Sequence, residues 1–447
     1  PYALALQAFS HWPIFPKSKF ADAKATRNPY SVYRLDHEAS DIVGSGPFRL
    51  KEFARNSFYL IERNPYYHVV DKAGTQLPYL NEVLFQEVPD EETELALLQK
   101  RKSDLMNLLP LSRLDELETD TDTNHIALID LGQELDREVI VFNQIFVMMK
   151  DSGPIPPFTD QRKLKWFRDR RFRQAISHAI NRQRICDQIY PGRAEPARGF
   201  VSVADKRWVN TNVDCSSYDI FISRRYLEDM SMTNRNTDGI LKDTNGVRVE
   251  FTLTVPYGND KRIRTAELIA EDLGKIGIQV SIRKIDMDQL TQDLHFNHGY
   301  EAAIFNYSGP GPLPYVSSFQ KQYTGFLYGG VPTPVWATQL DELMQSQLKI
   351  CDPVTQKANW DKAQEVLAEH LPMIYTVSRH IFGGASTRVQ NLRPAMAQQH
   401  HLSWNLEELY LVPTKSDNKP DPRQASTIPN GQPSLKPKQF AQALAEQ

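Results

Sequence analysis

The 447-residue chain reads as an α/β protein, and three observations predict it. Val249, Phe251, Leu253 and Val255 alternate with polar residues as in a strand. A helical stretch over 261–275 then places Ala266, Ile269, Leu273 and Ile276 on one face. Gly277 stops that helix, and Ile278, Val280 and Ile282 alternate again. This is the pattern of a β-α-β unit with parallel strands and a right-handed crossover. Segments with the strand period and segments with the helix period also follow one another along most of the chain. Finally, 40% hydrophobic and 24% charged residues supply ample core. At ~150 residues per domain, two or three domains are expected.

The elements follow in order. Residues 44–50 and 57–63 form two strands, with Phe48 and Leu50, then Phe58 and Leu60, alternating with polar neighbours. Asn64-Pro65 breaks the pairing. Val83, Leu84, Phe85 and Val88 suggest a third strand, and 92–102 a short helix with Leu95, Leu98 and Leu105 inward. Between Arg168 and Tyr190, Phe172, Ala175, Ile176, Ala179 and Ile180 recur at helical spacing, so one amphipathic helix with a solvated Arg/Gln face is expected, ended by Pro191-Gly192. The cluster Arg168, Arg170, Arg171 and Arg173 reads as the solvated start of that helix, or as an anion site. Residues 341–348 and 355–370 predict two more helices, and Met373-Ile-Tyr-Thr-Val377 a returning strand. Beyond Pro413 a tail rich in Pro, Ser, Lys, Asp and Gln is too polar to order itself.

Composition narrows the function. A net charge of −3 with interspersed signs provides no basic field for nucleic acid. With a mean hydropathy of −0.49, no apolar run approaches the ~18 residues of a membrane helix. Cys186, Cys215 and Cys351 are too few and too far apart for a disulfide framework or a metal knuckle. Catalytic signatures are equally sparse. Gly44-Ser45-Gly46 lacks the first half of a nucleophile elbow, and the prolines of Gly309-Pro-Gly311-Pro remove the donors a dinucleotide loop needs. His295 and His298, like His400 and His401, form pairs without the third and fourth ligand of a zinc site, so neither metal nor cofactor is expected.

Three motifs in one order resemble the oligopeptide/dipeptide-type solute-binding proteins of bacterial ABC importers: Gly44-Ser-Gly-Pro-Phe48, Arg63-Asn-Pro-Tyr-Tyr67 and Arg173-Gln-Ala-Ile-Ser-His-Ala-Ile-Asn-Arg182. The resemblance runs from Pro1 to about Pro413. It implies a two-lobed periplasmic-binding-protein-like fold of type II, with a small N-terminal domain and the start of domain I missing. Residues 1–135 with 399–413 would form part of domain I and 136–398 domain III, with 414–447 a disordered tail. Crossings near 137–143 and 397–404 would act as hinges while the lobes close on a ligand cleft.

The resemblance also implies the function: an extracytoplasmic receptor, periplasmic or a surface lipoprotein, monomeric, that passes a peptide-like or other oligomeric solute to a membrane permease. Ligand contacts are expected from Tyr257, Arg262, Met287, Asn306, Tyr307, Ser308, Tyr315 and Trp404. Replacing Tyr307 and Trp404 together by Ala should weaken binding and leave the apo melting temperature unchanged. Asn259 or Asp260 caps the helix that carries Arg262, whose guanidinium could meet an anionic or hydroxylated ligand. Peptide-binding members of the family carry an aspartate for the ligand's α-ammonium where this chain has Pro310, and no acidic residue occurs from Ala302 to Lys321. The segment Asp71-Lys-Ala-Gly-Thr-Gln-Leu-Pro-Tyr79 resembles an insertion in a subgroup that includes oligosaccharide binders. An oligosaccharide receptor is therefore the alternative, ahead of a hydrolase or a sensory receptor.

Overall fold

The computed structural model describes residues 39, 42–55, 57–119, 125–145, 148–150, 153–155, 159–307, 334–395 and 402–413. These fall into two units, one of Gln133–His380 and one holding the residues up to Gly132 and from Ile381 onward. The sequence expectation set the corresponding boundaries at 135/136 and 398/399. The polar tail beyond Pro413 lies outside the described residues.

The second unit begins with an antiparallel meander of β1 (Phe48–Ala54), β2 (Phe58–Arg63) and β3 (Glu82–Gln86). The expected break after β2 is made by Asn64. Its side-chain amide donates to Gly46 O at 2.8 Å while its Oδ1 accepts the Tyr66 amide at 3.1 Å. Helix α1 (Glu91–Gln99) starts where Asp90 accepts the Thr93 amide, and it buries Leu95 and Leu98. It stops three residues earlier than the periodicity suggests. Arg101 turns left-handed at φ 57°, and Leu105 enters a short strand, β4 (Leu105–Met106), instead of the helix face. Helix α2 (Leu114–Thr119) and β5 (Ile126–Gln133) complete this part of the unit.

The first unit contains β6 (Arg137–Phe142), a hairpin of β7 (Met148–Lys150) and β8 (Gly153–Ile155), and helices α3 (Gln161–Arg168), α4 (Arg170–Ala179) and α5 (Arg182–Ile189). After β9 (Ala194–Pro196) come α6 (Ile220–Glu228), β10 (Glu250–Pro256), α7 (Asp260–Lys275), β11 (Gln279–Ile285), α8 (Met287–Gln292) and β12 (Ala302–Tyr307). Then follow α9 (Val335–Gln347), α10 (Pro353–His370), β13 (Met373–Tyr375) and β14 (Val377–Ser386), which runs on into the second unit. There the order β4-β14-β5 forms a sheet, and β15 (Val389–Gln390) pairs with β16 (Tyr410–Leu411). The predicted β-α-β unit is present as β10-α7-β11, parallel and with Phe251 opposite Val280.

The single helix expected between Arg168 and Tyr190 is instead a succession of short ones. Asp169 accepts the Arg171 amide and Asn181 accepts the Arg184 amide, so each cap starts a new helix. The solvated reading of the arginine cluster holds for Arg170 and Arg171, which pair with Glu369 and Asp169, and fails for Arg173. That guanidinium is fully buried and donates to Phe167 O (2.5 Å), His370 O (2.7 Å) and Leu371 O (2.9 Å), carbonyls that the ends of α3 and α10 leave unpaired. Arg182, 1% exposed, likewise holds Tyr375 O at 2.6 Å and Ser177 O at 2.8 Å. Burial lowers the two guanidinium pKa values to about 9 and about 10, which leaves both charged at neutral pH. In helix periodicity these positions count as polar. Their five donors suit them to the interior wherever carbonyls converge.

Candidate functional site at the carboxyl edge of the central sheet

The five-stranded sheet has the order β11-β10-β12-β6-β13. Strands β10, β11 and β12 are parallel, and β6 runs antiparallel to both β12 and β13. The carboxyl ends of four strands therefore meet the amino end of β6 along one edge. Open α/β sheets bind ligands at that edge. These elements bring five of the expected residues to it: Tyr257 just after β10, Arg262 in the first turn of α7, Met287 at the start of α8, and Asn306 and Tyr307 at the end of β12.

Their roles differ. Tyr257 is 59% exposed and Met287 51%, so both present apolar surface to solvent. The Tyr257 hydroxyl reaches Asp286 Oδ2 at 3.3 Å. Asn259 caps α7 by accepting the Arg262 amide at 3.0 Å, as expected. The Arg262 side chain, however, turns inward. Its Nε meets Glu138 Oε2 at 3.2 Å and its Nη2 donates to Asn306 Oδ1 at 2.7 Å. Both members of this ion pair are buried, and Thr376 Oγ1 donates to the other Glu138 oxygen at 3.2 Å. The guanidinium is thus engaged by the protein's own acceptors. Asn306 is tied to the same network.

Tyr307 is 7% exposed and packs on Phe200, ring centres 5.6 Å apart, and on Phe305 at 6.3 Å. Truncating so buried a ring leaves a cavity that costs ~3–5 kcal/mol, so the Tyr307/Trp404 double replacement would lower the melting temperature, contrary to expectation. Trp404 belongs to the other unit, is 41% exposed and donates its indole N–H to Arg393 O. Ser308 and Tyr315 lie outside the described residues, as do His400 and His401. His298 is buried in a left-handed turn with its carbonyl accepting from Asn143 Nδ2 at 2.9 Å.

A second pair, buried Glu134 with half-buried Arg379, stands close to the first in sequence. Glu134 receives Arg379 through Nε at 2.7 Å and Nη2 at 2.5 Å, while the Glu134 amide donates to Arg379 O at 2.8 Å. Burial pushes the Glu134 carboxyl upward, and the arginine opposes that shift. With Glu134 and Glu138 each held by an arginine, neither serves as a free general base. Tyr190 is buried nearby in unit one, and burial raises its phenol well above the ordinary value.

Sequence reasoning missed Glu134, Glu138, Thr376 and Arg379. The only signal was an acidic residue opening the apolar run Val139-Ile-Val-Phe142, which is what a buried strand with one functional carboxylate looks like. It also missed a concavity of about 380 Å³ between the start of β6, β9 with its following loop, and β14, whose walls include Gln133, Arg137, Glu195, Ser202 and Ser378.

Comparison with known proteins agrees with this architecture. The chain is 27% identical over 305 residues to a probable ABC transporter-binding protein of Deinococcus radiodurans, covering 66% of this chain and 49% of that protein. It is 25% identical over 351 residues to the oligopeptide-binding protein AppA of Bacillus subtilis, covering 76% and 57%. The chain thus spans about half the length of these curated relatives. The structure of AppA in complex with a nonapeptide aligns at a TM-score of 0.66 and 21% identity, over 90% of this chain and 72% of AppA. The periplasmic binding protein MelB of Agrobacterium fabrum, in complex with stachyose, aligns at 0.67 and 18%, over 85% and 59%. At such identities the two structures bear on the fold, a type II periplasmic-binding-protein fold. No helix among the described residues is long and apolar enough to cross a membrane. Residues 1–325 match the model for the bacterial extracellular solute-binding proteins, family 5 Middle, and the chain belongs to that family.

Proposed function

We propose that this chain is the solute-binding receptor of an ABC importer, held outside the cytoplasm in the periplasm or on the cell surface. It captures a peptide-like or other oligomeric solute and delivers it, as a monomer, to a membrane permease. The observation that carries this reading is the carboxyl edge of the central sheet. Exposed Tyr257 and Met287 stand there beside a floor of buried Glu138, Arg262 and Thr376 with half-buried Asn306. A recognition site wants that division: a floor fixed by mutual hydrogen bonds, and a rim of exposed apolar side chains that a solute can cover. The one carboxylate on that floor is held by Arg262, which favours binding over acid–base chemistry.

The solute class has two readings. Relatives named for peptides favour the first. The second, an oligosaccharide, gains from one feature of this chain: no acidic residue from Ala302 to Lys321 could receive a peptide's α-ammonium. A buried ammonium without a carboxylate is strongly disfavoured. Native mass spectrometry of protein purified gently from its source tests the proposal. A retained species with amino-acid spacings supports the peptide reading, and hexose or pentose spacings support the oligosaccharide one. A protein that retains nothing, and that binds no member of a peptide and saccharide panel at millimolar concentration, would overturn the receptor reading.

A further inference from the structure

Asn306 holds the last position but one of β12, half-buried, where that strand reaches the carboxyl edge of the sheet. Its Oδ1 accepts from Arg262 Nη2 at 2.7 Å. A guanidinium only donates, so the amide oxygen must be the atom that faces it. Turning the amide over would set its NH2 against the guanidinium, donor to donor, and lose a charge-assisted hydrogen bond. Arg262 is not free to swing aside, because its Nε meets Glu138 Oε2 at 3.2 Å and both members of that pair are buried. The Asn306 amide is therefore held in one orientation, with its oxygen committed and its nitrogen turned away from the guanidinium.

Asn306 Nδ2 has no hydrogen-bond partner among the described residues, and it is not one of the buried side-chain atoms left unsatisfied, so it reaches solvent. The acceptors beside it are already taken. Glu138 Oε2 meets Arg262, and Oε1 accepts from the buried Thr376 hydroxyl at 3.2 Å. The amide thus offers an N–H donor at the edge, while its own oxygen and both carboxylate oxygens behind it are occupied. An ammonium group placed there would find donors and no counter-charge, which is disfavoured once water is excluded. An uncharged oxygen, the carbonyl of an amide or a hydroxyl of a sugar ring, accepts the unused N–H and needs no counter-charge.

From this geometry we propose that Asn306 Nδ2 is a specificity-determining donor of the site, oriented by Arg262 and matched to an acceptor oxygen of the solute. This rests on the receptor reading and deepens it: at this position the solute presents a carbonyl or hydroxyl oxygen, and any ammonium group it carries lies elsewhere. The test is calorimetric titration of the 447-residue chain with penta-alanine and with raffinose, repeated for Asn306→Asp and Asn306→Leu. Asn306→Asp keeps the shape and the contact with Arg262 and replaces the outward donor by a charged acceptor. A solute oxygen bound there is repelled and an ammonium attracted, so the sign of the change tells them apart. The expected result, for the probe that the parent binds more tightly, is affinity weakened about fivefold or more in Asn306→Asp. A smaller loss, or tighter binding, overturns the proposal and leaves the receptor reading intact. Thermal melts report whether each variant folds. If Asn306→Asp does not, Asn306→Leu, which removes the donor without adding charge, is held to the same criterion. A parent that binds neither probe overturns the proposal, and the wider peptide and saccharide panel then decides the receptor reading separately.

Discussion

Replacing Arg262 by Met tests whether the floor of the site is held by a buried ion pair. The substitution keeps the aliphatic stem and removes the guanidinium, so Glu138, 5% exposed, keeps only the Thr376 hydroxyl at 3.2 Å, and Asn306 Oδ1 loses its donor at 2.7 Å. Stripping one partner from a buried pair costs ~3–5 kcal/mol, because the remaining charge stays desolvated. At ~2–4 °C per kcal/mol for a unit of this size, the melting transition of the Gln133–His380 unit should fall by about 6–20 °C. The double variant Arg262→Met/Glu138→Leu removes both charges and should recover to within ~1–2 kcal/mol of the parent. Guanidinium melts of the four proteins, followed by tryptophan fluorescence, give the cycle. A single-variant loss below ~1 kcal/mol, or a double variant equal to the sum of the singles, would refute the reasoning.

Three further outcomes follow from the same structure. Gly277 sits at φ +90°, and a Cβ there would come within 2.3 Å of Arg235 Nη1, whereas Gly132 at φ +81° has nothing within 4 Å. Alanine at Gly277 should therefore cost ~1–3 kcal/mol by chemical denaturation, and more than alanine at Gly132. Burial raises the Cys186 and Cys215 thiols to about 12 while Cys351 is exposed, so iodoacetamide at pH 8 should label one thiol quickly and the other two only on unfolding, read by peptide mass mapping. Burial lowers His178 and His370 below their ordinary 6.5. The unfolded chain then binds more protons than the folded one as pH falls through and below 6.5. Their contribution to stability is full above that pH and lost beneath it. The melting temperature should drop between pH 7 and pH 5, and His178→Phe should flatten part of the drop.

Much of the first unit was legible because its elements obey one period each. The run from Val249 to Ile282 switches from two to 3.6 and back, and β10, α7 and β11 lie where those switches fall. The site was legible only as a place. Periodicity assigns a residue to a strand end or a helix start, and so brings Tyr257, Arg262, Met287, Asn306 and Tyr307 to one edge. It cannot say which way a side chain turns there. Tyr257 and Tyr307 have the same side chain and sit at the ends of neighbouring strands, yet one is 59% exposed and the other 7%, because Phe200 from a distant loop covers only the second. Arg173 and Arg182 were misread for a related reason. A helical wheel counts an arginine as surface, while the carbonyls that bury it belong to helix and strand ends far away in sequence.

The two buried carboxylates make a consistent design when taken with the strand direction. β6 is the one strand of the central sheet that starts at the edge where the other four end, so its first residues arrive there already fixed by pairing on both sides: Glu138 lies opposite Asn306 of β12, and the Glu138 carbonyl accepts the Thr376 amide at 3.0 Å. A charge placed at such a position cannot move to relax, and a buried charge that cannot relax must be paired. Arg262 supplies the partner from the start of α7, where the helix's own amide ends would otherwise present positive potential to the site. The pair thus removes a fixed charge and a mobile cation from the edge together. What remains exposed at that edge is the aromatic and thioether rim of Tyr257 and Met287. A site built this way discriminates by shape and by hydroxyl or amide hydrogen bonds more than by net charge. Its solute affinity should accordingly change little as salt is raised from low to physiological concentration, whereas a site that gripped a charged terminus at its surface would lose affinity steadily over that range.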